Sequence, residues 1–444
     1  FVAGGGEDSV QQPQWSPDGQ RLLFISDRSG WWNLYAWGGH DQVESLCALE
    51  ADFGWPQWLF GLRSYQQLDS QHILAAYNHP KEAGVSLGLI NQVSHTVTPI
   101  HTGVTHFGSP TVVSVVSSPS TFPRVALMRL EGLQALAAAG PGDWHSLRSS
   151  ADMALDGGYL SVPQVMEFPS AGGRTAHMVY YPPANKDWVL PEGVLPPLVV
   201  HSHGGPTSAA VVSLSLHTQY WTSRGWALAD VDYGGSTGYG REYRNRLRGT
   251  WGEVDVDDCC AAASWLAAEG KVDPGRMCIS GGSAGGFTTL ACLAFRDVFS
   301  AGCSLYGVAD LALLAQDTHK FESRYLDLLV GPLPEAQALY AARSPLLHAQ
   351  GFTRPIIFFQ GEEDAVVPPE QARRMFEAVM QRRLPTALVL FKGEQHGFRQ
   401  AAAIRAALDG ELYFYSKVLG FPGSMPEGVE VPHIHNLTAG HNTT

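Results

Sequence analysis

The stretch Gly281-Gly282-Ser283-Ala284-Gly285 decides how the C-terminal part of this chain is read. Ahead of it, Arg276-Met277-Cys278-Ile279-Ser280 reads as a short strand. Behind it, residues 287–295 are apolar and free of breakers, which predicts a buried helix. A G-x-S-x-G placed between a strand and a helix predicts a nucleophile elbow. Its small residues permit a sharp, strained turn that lifts the serine hydroxyl clear of the sheet, with the next residue's N–H free to meet an oxyanion. In a chain with 48 glycines the pattern alone arises by chance, so its neighbours carry the weight.

Three further pieces stand in matching order. Pro197-Leu198-Val199-Val200 is a short apolar run, read as a buried strand, and it ends in His201-Ser202-His203-Gly204-Gly205-Pro206. The glycines there allow backbone N–H groups to approach a substrate carbonyl, so Gly204 or Gly205, with Ala284, are the candidate oxyanion donors. A second apolar run, Pro355-Ile356-Ile357-Phe358-Phe359, leads into Gln360-Gly361-Glu362-Glu363-Asp364. A third, Ala387-Leu388-Val389-Leu390-Phe391, is followed by Glu394-Gln395-His396-Gly397-Phe398. Ser283, Asp364 and His396 thus occur in the chain order of an α/β-hydrolase, each just past a predicted strand, where open α/β sheets place their reactive groups.

Chemistry explains the trio. A serine hydroxyl is a poor nucleophile until a neutral imidazole takes its proton, and a carboxylate fixes the tautomer of that imidazole. Asp364 is preferred to Glu362 and Glu363 because it lies nearest the Val366-Val367-Pro368 anchor and has less rotamer freedom; the two glutamates read as a solvated loop face. His203 reads as a structural group holding the oxyanion loop.

Residues 161–421 resemble the prolyl oligopeptidase family of serine peptidases, especially its acylaminoacyl-peptidase and dipeptidyl-aminopeptidase-like members. The resemblance rests on His203-Gly204-Gly205-Pro206, on the run Asp232-Tyr233-Gly234-Gly235-Ser236-Thr237-Gly238-Tyr239-Gly240, on Trp251-Gly252, and on the segments around Ser283, Asp364 and His396. It implies an α/β-hydrolase fold, a Ser283–Asp364–His396 triad, cleavage of short peptides, and no metal or organic cofactor. Residues 232–240 lack the ending of a phosphate-binding loop and are read as a turn-rich loop beside the active site. A carboxylesterase of the same fold, and an inactive peptide-binding scaffold, are the competing readings.

Composition agrees. The formal net charge of −13, without a Lys/Arg run, argues against nucleic acid or an anionic membrane as partner. No apolar stretch reaches spanning length and no signal pattern opens the chain, so membrane association is not expected. Six cysteines without metal spacing predict reduced, buried thiols in a cytoplasmic protein. Two Asn-x-Thr sequons, at Asn436 and Asn442, read as incidental. Self-association into a homo-oligomer is left open.

The N-terminal third has another character. Gln14-Trp15-Ser16-Pro17-Asp18-Gly19 is a strand end and turn, followed by Arg21-Leu22-Leu23-Phe24-Ile25-Ser26 and then by Trp31-Trp32-Asn33-Leu34-Tyr35. Short strands and tight turns mark a β-propeller blade. Pro56-Gln57-Trp58-Leu59-Phe60 is read as opening a second unit and Ser109-Pro110-Thr111-Val112-Val113 a third. The expected layout is a partial propeller over 1–155, an α/β-hydrolase domain over 156–424 and a polar tail over 425–444. Three blades are fewer than the family's ring, so the expectation is an incomplete, all-β propeller whose first blades precede Phe1.

Overall fold

A computed structural model describes residues 2–39, 42–58, 61–107, 113–128, 144–318, 320–421 and 429–437. It resolves into two compact units. The first is Phe1–Val165 together with Val211–Gln219 and Ser236–Asn245; the second holds Met166–Ala210, Tyr220–Gly235 and Arg246–Thr444.

Among the described residues, the first unit contains three antiparallel four-stranded sheets. One is β1 (Val10–Trp15), β2 (Leu22–Ser26), β3 (Asn33–Trp37) and β4 (Val43–Ser45); the next is β5 (Tyr65–Gln67), β6 (His72–Asn78), β7 (Val85–Asn91) and β8 (Thr96–Ile100). The last is β9 (His106–Phe107), β10 (Val113–Ser118), β11 (Thr121–Met128) and β12 (Trp144–Ser149). The Pro17-Asp18-Gly19 turn forms as read, with Gly19 at φ 70° and its N–H on the Ser16 carbonyl. The second sheet starts later than expected, at Tyr65: Pro56 has no N–H to give a ladder, and Trp58 is exposed rather than inward-facing. Ser109, Pro110, Thr111 and Val112 lie outside the described residues. One apolar core joins the first two sheets through Leu23, Ile25, Phe53 and Ile73, and a second joins the last two through Leu74, Leu87, Val116 and Trp144.

The same unit includes a stretch that belongs, by sequence, between strands of the α/β sheet. In Ser236–Asn245 the N–H groups of Gly238 and Gly240 each donate to Asp52 Oδ2 at 3.1 Å. Arg244 bridges Asp52 and Asp27 at 3.3 and 2.6 Å, and its guanidinium lies 3.5 Å from the centre of the Trp32 ring. Arg241 reaches Asp27 at 2.7 Å and Asp8 at 3.1 Å. Only the opening of the run read as an active-site loop, Asp232 to Gly235, groups with the second unit.

The second unit is built on one eight-stranded sheet in the order β13-β14-β16-β15-β17-β18-β19-β20. Its strands are β13 (Gln164–Pro169), β14 (Thr175–Tyr181), β15 (Leu198–Ser202), β16 (Ala227–Asp232), β17 (Met277–Gly282), β18 (Ala301–Leu305), β19 (Ile356–Gly361) and β20 (Thr386–Phe391). From β16 to β20 all neighbours are parallel, while β14 runs antiparallel to β16. Near-continuous burial of β15, β17 and β19 is what a parallel sheet covered on both faces demands. Helices α1 (Val254–Ala268), α2 (Ala284–Phe295) and α3 (Pro369–Gln381) share one core with Val200, Ile279 and Phe358. Helix α4 (Ala401–Val418) covers Phe359 and Cys278, whose side chains alternate to the opposite face. All six cysteines are buried and free. The C-terminal segment returns to the sheet edge, where His435 pairs with Thr386, and the Asn436 amide donates to the Met380 and Leu384 carbonyls.

Candidate active site

Every group read as reactive stands at the C-terminal end of a parallel strand. Strand β17 runs up to Gly282, and α2 begins at Ala284, so Ser283 is the entire connection. Its backbone is held at φ 57°, a left-handed conformation disfavoured for a side chain. The turn closes only because its glycines have no Cβ: one added at Gly285 would lie 1.9 Å from the Ser202 carbonyl oxygen. The Ser283 N–H is fixed to the Leu305 carbonyl at 2.9 Å, which leaves its side chain to face outward.

Ser283 Oγ is 2.8 Å from His396 Nε2, and His396 Nδ1 is 2.8 Å from Asp364 Oδ2. The Asp364 side chain is fully buried, and its other oxygen accepts the N–H groups of Val366 and Val367, both at 2.9 Å. Gln360 Nε2 adds a fourth donor at 3.2 Å. Glu362 and Glu363, the competing acids, are exposed. These contacts fix which nitrogen carries which proton. A carboxylate can only accept, so His396 keeps its hydrogen on Nδ1 and presents the lone pair of Nε2 to the serine.

Gly204 lies against the elbow, where a Cβ would come 3.3 Å from the Gly282 carbonyl oxygen and 3.7 Å from Ser283 Cβ. Gly205 follows at φ 122°, a conformation that favours glycine. Ala284 opens α2, so its N–H belongs to the unpaired first turn at the positive end of the helix. Ser283, Asp364, His396, Gly204, Gly205 and Ala284 are therefore drawn to one end of one sheet.

Two residues here escaped the sequence reading. Glu394 is buried and accepts the N–H groups of Arg399 and Gln400 at 3.0 and 2.7 Å, tying the His396 loop into a closed turn. Tyr306 follows β18 at φ 40°, with its ring edge-on to His396 at 5.0 Å and to Phe398 at 5.2 Å. Gly282 makes room for it: a Cβ there would lie 2.9 Å from the phenol oxygen. Neither stands in a recognisable motif. Positive φ at a non-glycine residue is a property of the folded backbone alone.

Under the sheet, α4 buries Glu411 against strand β17, next to Ser280, Cys303 and Tyr415. Burial pushes its carboxyl up to about 7, partly offset by hydrogen bonds from Ser280 and Tyr415. Among the described residues no group of three or more His, Cys, Asp or Glu side chains could hold a metal ion. Likewise, no helix among them is long and apolar enough to cross a membrane.

Residues 212–421 match the model described as the prolyl oligopeptidase family. That segment, just under half of the chain, is similar to that family. Among curated relatives it is 29% identical over 267 residues to dipeptidyl aminopeptidase BIII of Pseudoxanthomonas mexicana, covering 55% of this chain and 38% of that one. It is 24% identical over 442 residues to the acylamino-acid-releasing enzyme of Arabidopsis thaliana, covering 86% and 56%. Among solved structures, a puromycin-hydrolyzing peptidase of Mycobacterium tuberculosis is 38% identical with a TM-score of 0.89, covering 98% of this chain and 65% of that one. The chain thus spans about two-fifths to two-thirds of the length of these proteins. The prolyl oligopeptidase architecture, an all-β propeller region followed by an α/β-hydrolase domain, accounts for the three small sheets and the eight-stranded one.

Proposed function

We propose that this chain is the catalytic portion of a serine peptidase that hydrolyses short peptides through an acyl-enzyme. Ser283 is the nucleophile, His396 the general base and then acid, and Asp364 the group that orients His396. The observation that supports this reading is the unbroken run of two 2.8 Å contacts from Ser283 through His396 to Asp364. In the forward step Ser283 Oγ attacks the scissile carbonyl carbon while its proton passes to His396 Nε2. The imidazolium faces the buried Asp364 carboxylate, and the new oxyanion faces N–H groups of Gly204 or Gly205 and of Ala284. His396 then protonates the leaving amine. Water enters, gives a proton to the same nitrogen as it attacks the acyl carbon, and His396 returns that proton to Ser283 Oγ as the acid leaves. No other group is needed to balance the protons.

The preferred substrates are peptides from which an N-terminal acylated residue or dipeptide is removed, in keeping with the names of the two curated relatives. The test is a panel of p-nitroanilides bearing acetyl-aminoacyl, free aminoacyl and dipeptidyl groups. Puromycin is added because the 38%-identical relative is described as puromycin-hydrolyzing. Ser283→Ala should lower turnover on the order of 10⁴-fold or more and abolish fluorophosphonate labelling, with the melting temperature retained. A folded wild-type chain that takes no label, or a Ser283→Ala protein keeping a tenth of the activity, overturns the reading.

A further inference from the structure

One fully buried phenol near the elbow has no part in the proton transfers above. Tyr233 follows β16 directly and is shielded from solvent completely. Its hydroxyl lies 2.9 Å from the His203 carbonyl oxygen and 3.1 Å from that of Pro206, the two ends of the glycine loop. Its ring stacks on the His203 imidazole, centre to centre 4.3 Å and 18° from parallel. His203 Nδ1 in turn lies 2.8 Å from the Gly204 carbonyl oxygen. A carbonyl only accepts, so the imidazole carries its hydrogen on Nδ1 and donates it. Burial holds the His203 pKa down at about 4, which keeps the ring neutral.

Planarity converts these anchors into direction. In a trans peptide the C=O and the following N–H point opposite ways. Holding the His203 oxygen on the phenol therefore aims the Gly204 N–H away from Tyr233. Holding the Gly204 oxygen on Nδ1 aims the Gly205 N–H away from the imidazole. Both planes that could present a donor beside Ser283 are thus set by one phenol and the ring it supports. Glycine peptides are otherwise free to flip, because no Cβ opposes rotation.

We infer that Tyr233 is a positioning residue for the oxyanion loop, holding the Gly204 and Gly205 N–H groups in their working orientation through its hydroxyl and through His203. This rests on the serine-peptidase reading of Ser283. The role is electrostatic preorganisation: donors already aligned cost no reorganisation as charge develops on the substrate oxygen.

The test is Tyr233→Phe, which keeps the ring on His203 and removes only the hydroxyl. On the best p-nitroanilide we expect kcat to fall roughly 10- to 100-fold with KM nearly unchanged, less than the loss of a whole oxyanion donor. Binding of a peptide aldehyde, whose adduct carries the oxyanion, should weaken by a similar factor. Binding of the uncleaved peptide to the inactive Ser283→Ala background should not change. His203→Asn, whose amide can still donate to Gly204, should retain more activity than His203→Ala. Tyr233→Phe with unchanged kcat and aldehyde affinity overturns the inference, whatever its melting temperature. So does a loss confined to stability, with kcat per folded molecule intact. Failure of the serine-peptidase reading looks different: Ser283→Ala itself would stay active. Should Tyr233→Phe not fold, the two His203 variants decide alone, and equal activity in both overturns the inference.

Discussion

Asp52 in the first unit and Asp364 in the second are both sealed from solvent and both saturated with hydrogen-bond donors, yet they serve opposite ends. Asp52 accepts the Trp32, Gly238 and Gly240 N–H groups and pairs with Arg244. Asp364 accepts the Val366 and Val367 N–H groups and pairs with His396. Burial alone pushes the Asp52 carboxyl upward, and Arg244 pulls it back. An arginine keeps its proton under all ordinary conditions, so the first arrangement is static. A histidine can gain and lose one, so the second can do work. A buried carboxylate is thus no mark of chemistry by itself; its partner decides.

Replacing each acid by its amide should pull the two sites apart. Asp364→Asn keeps the shape but offers an NH₂ to His396 Nδ1, which forces the ring hydrogen onto Nε2 and blocks proton uptake from Ser283. We expect kcat to drop roughly 10³- to 10⁴-fold, with denaturant midpoints close to wild type. Steady-state kinetics and urea titration on the same preparation check both halves.

Asp52→Asn should do the reverse. The amide sets donors against Gly238, Gly240 and Arg244, and leaves a largely buried guanidinium with Asp27 alone. A loss of about 3 kcal/mol in unfolding free energy is expected, with turnover per folded molecule preserved. Equal damage to activity would break the comparison.

A third buried acid tests it through pH. Glu411 has its folded pKa raised to about 7, above its ordinary 4.5. Between those values the unfolded chain releases a proton that the folded chain retains. Stability is therefore full below about 4.5 and falls as pH rises through about 7. Glu411→Gln should flatten that part of the curve and melt higher than wild type, relative to its value at pH 5, by pH 8. Thermal melts across pH 5 to 8 give the answer. The smallest effect belongs to the exposed neighbours of Asp364: Glu362→Gln and Glu363→Gln should each leave kcat within about twofold, since exposed charges are screened by solvent.

The positions of Ser283, His396, Asp364 and the glycine loop were legible because the sequence signals for them are local. An elbow needs glycines around its serine, and strands of a parallel sheet need unbroken apolar runs. Strand and helix positions around Ser283 accordingly agree with the reading to within a few residues. What hid was long-range. Tyr233 sits in a quoted run, but nothing there says that its hydroxyl reaches back to His203 and Pro206. Glu394 looks like any loop acid until its carboxylate meets two N–H groups. The turn-rich run after β16 reads as a loop beside the active site because it lacks the ending of a phosphate-binding loop. That Gly238 and Gly240 give their N–H groups to Asp52, which lies 186 and 188 residues earlier in the chain, is not legible locally. The second sheet began late for a plainer reason: aromatic residues around Pro56 imitate a strand without supplying its ladder.

The ion pairs of Arg241 and Arg244 also bear on how the protein is made. A ribosome delivers the chain from its N-terminus, and domains that are contiguous in sequence can fold as they emerge. The first unit cannot finish this way. Asp27 and Asp52 are synthesised long before their arginines, so until residue 245 has left the exit tunnel two carboxylates must stay hydrated or be buried without their partners. Stalled chains ending near residue 165 should therefore remain protease-sensitive. Those long enough to expose residue 245 should become resistant in one step.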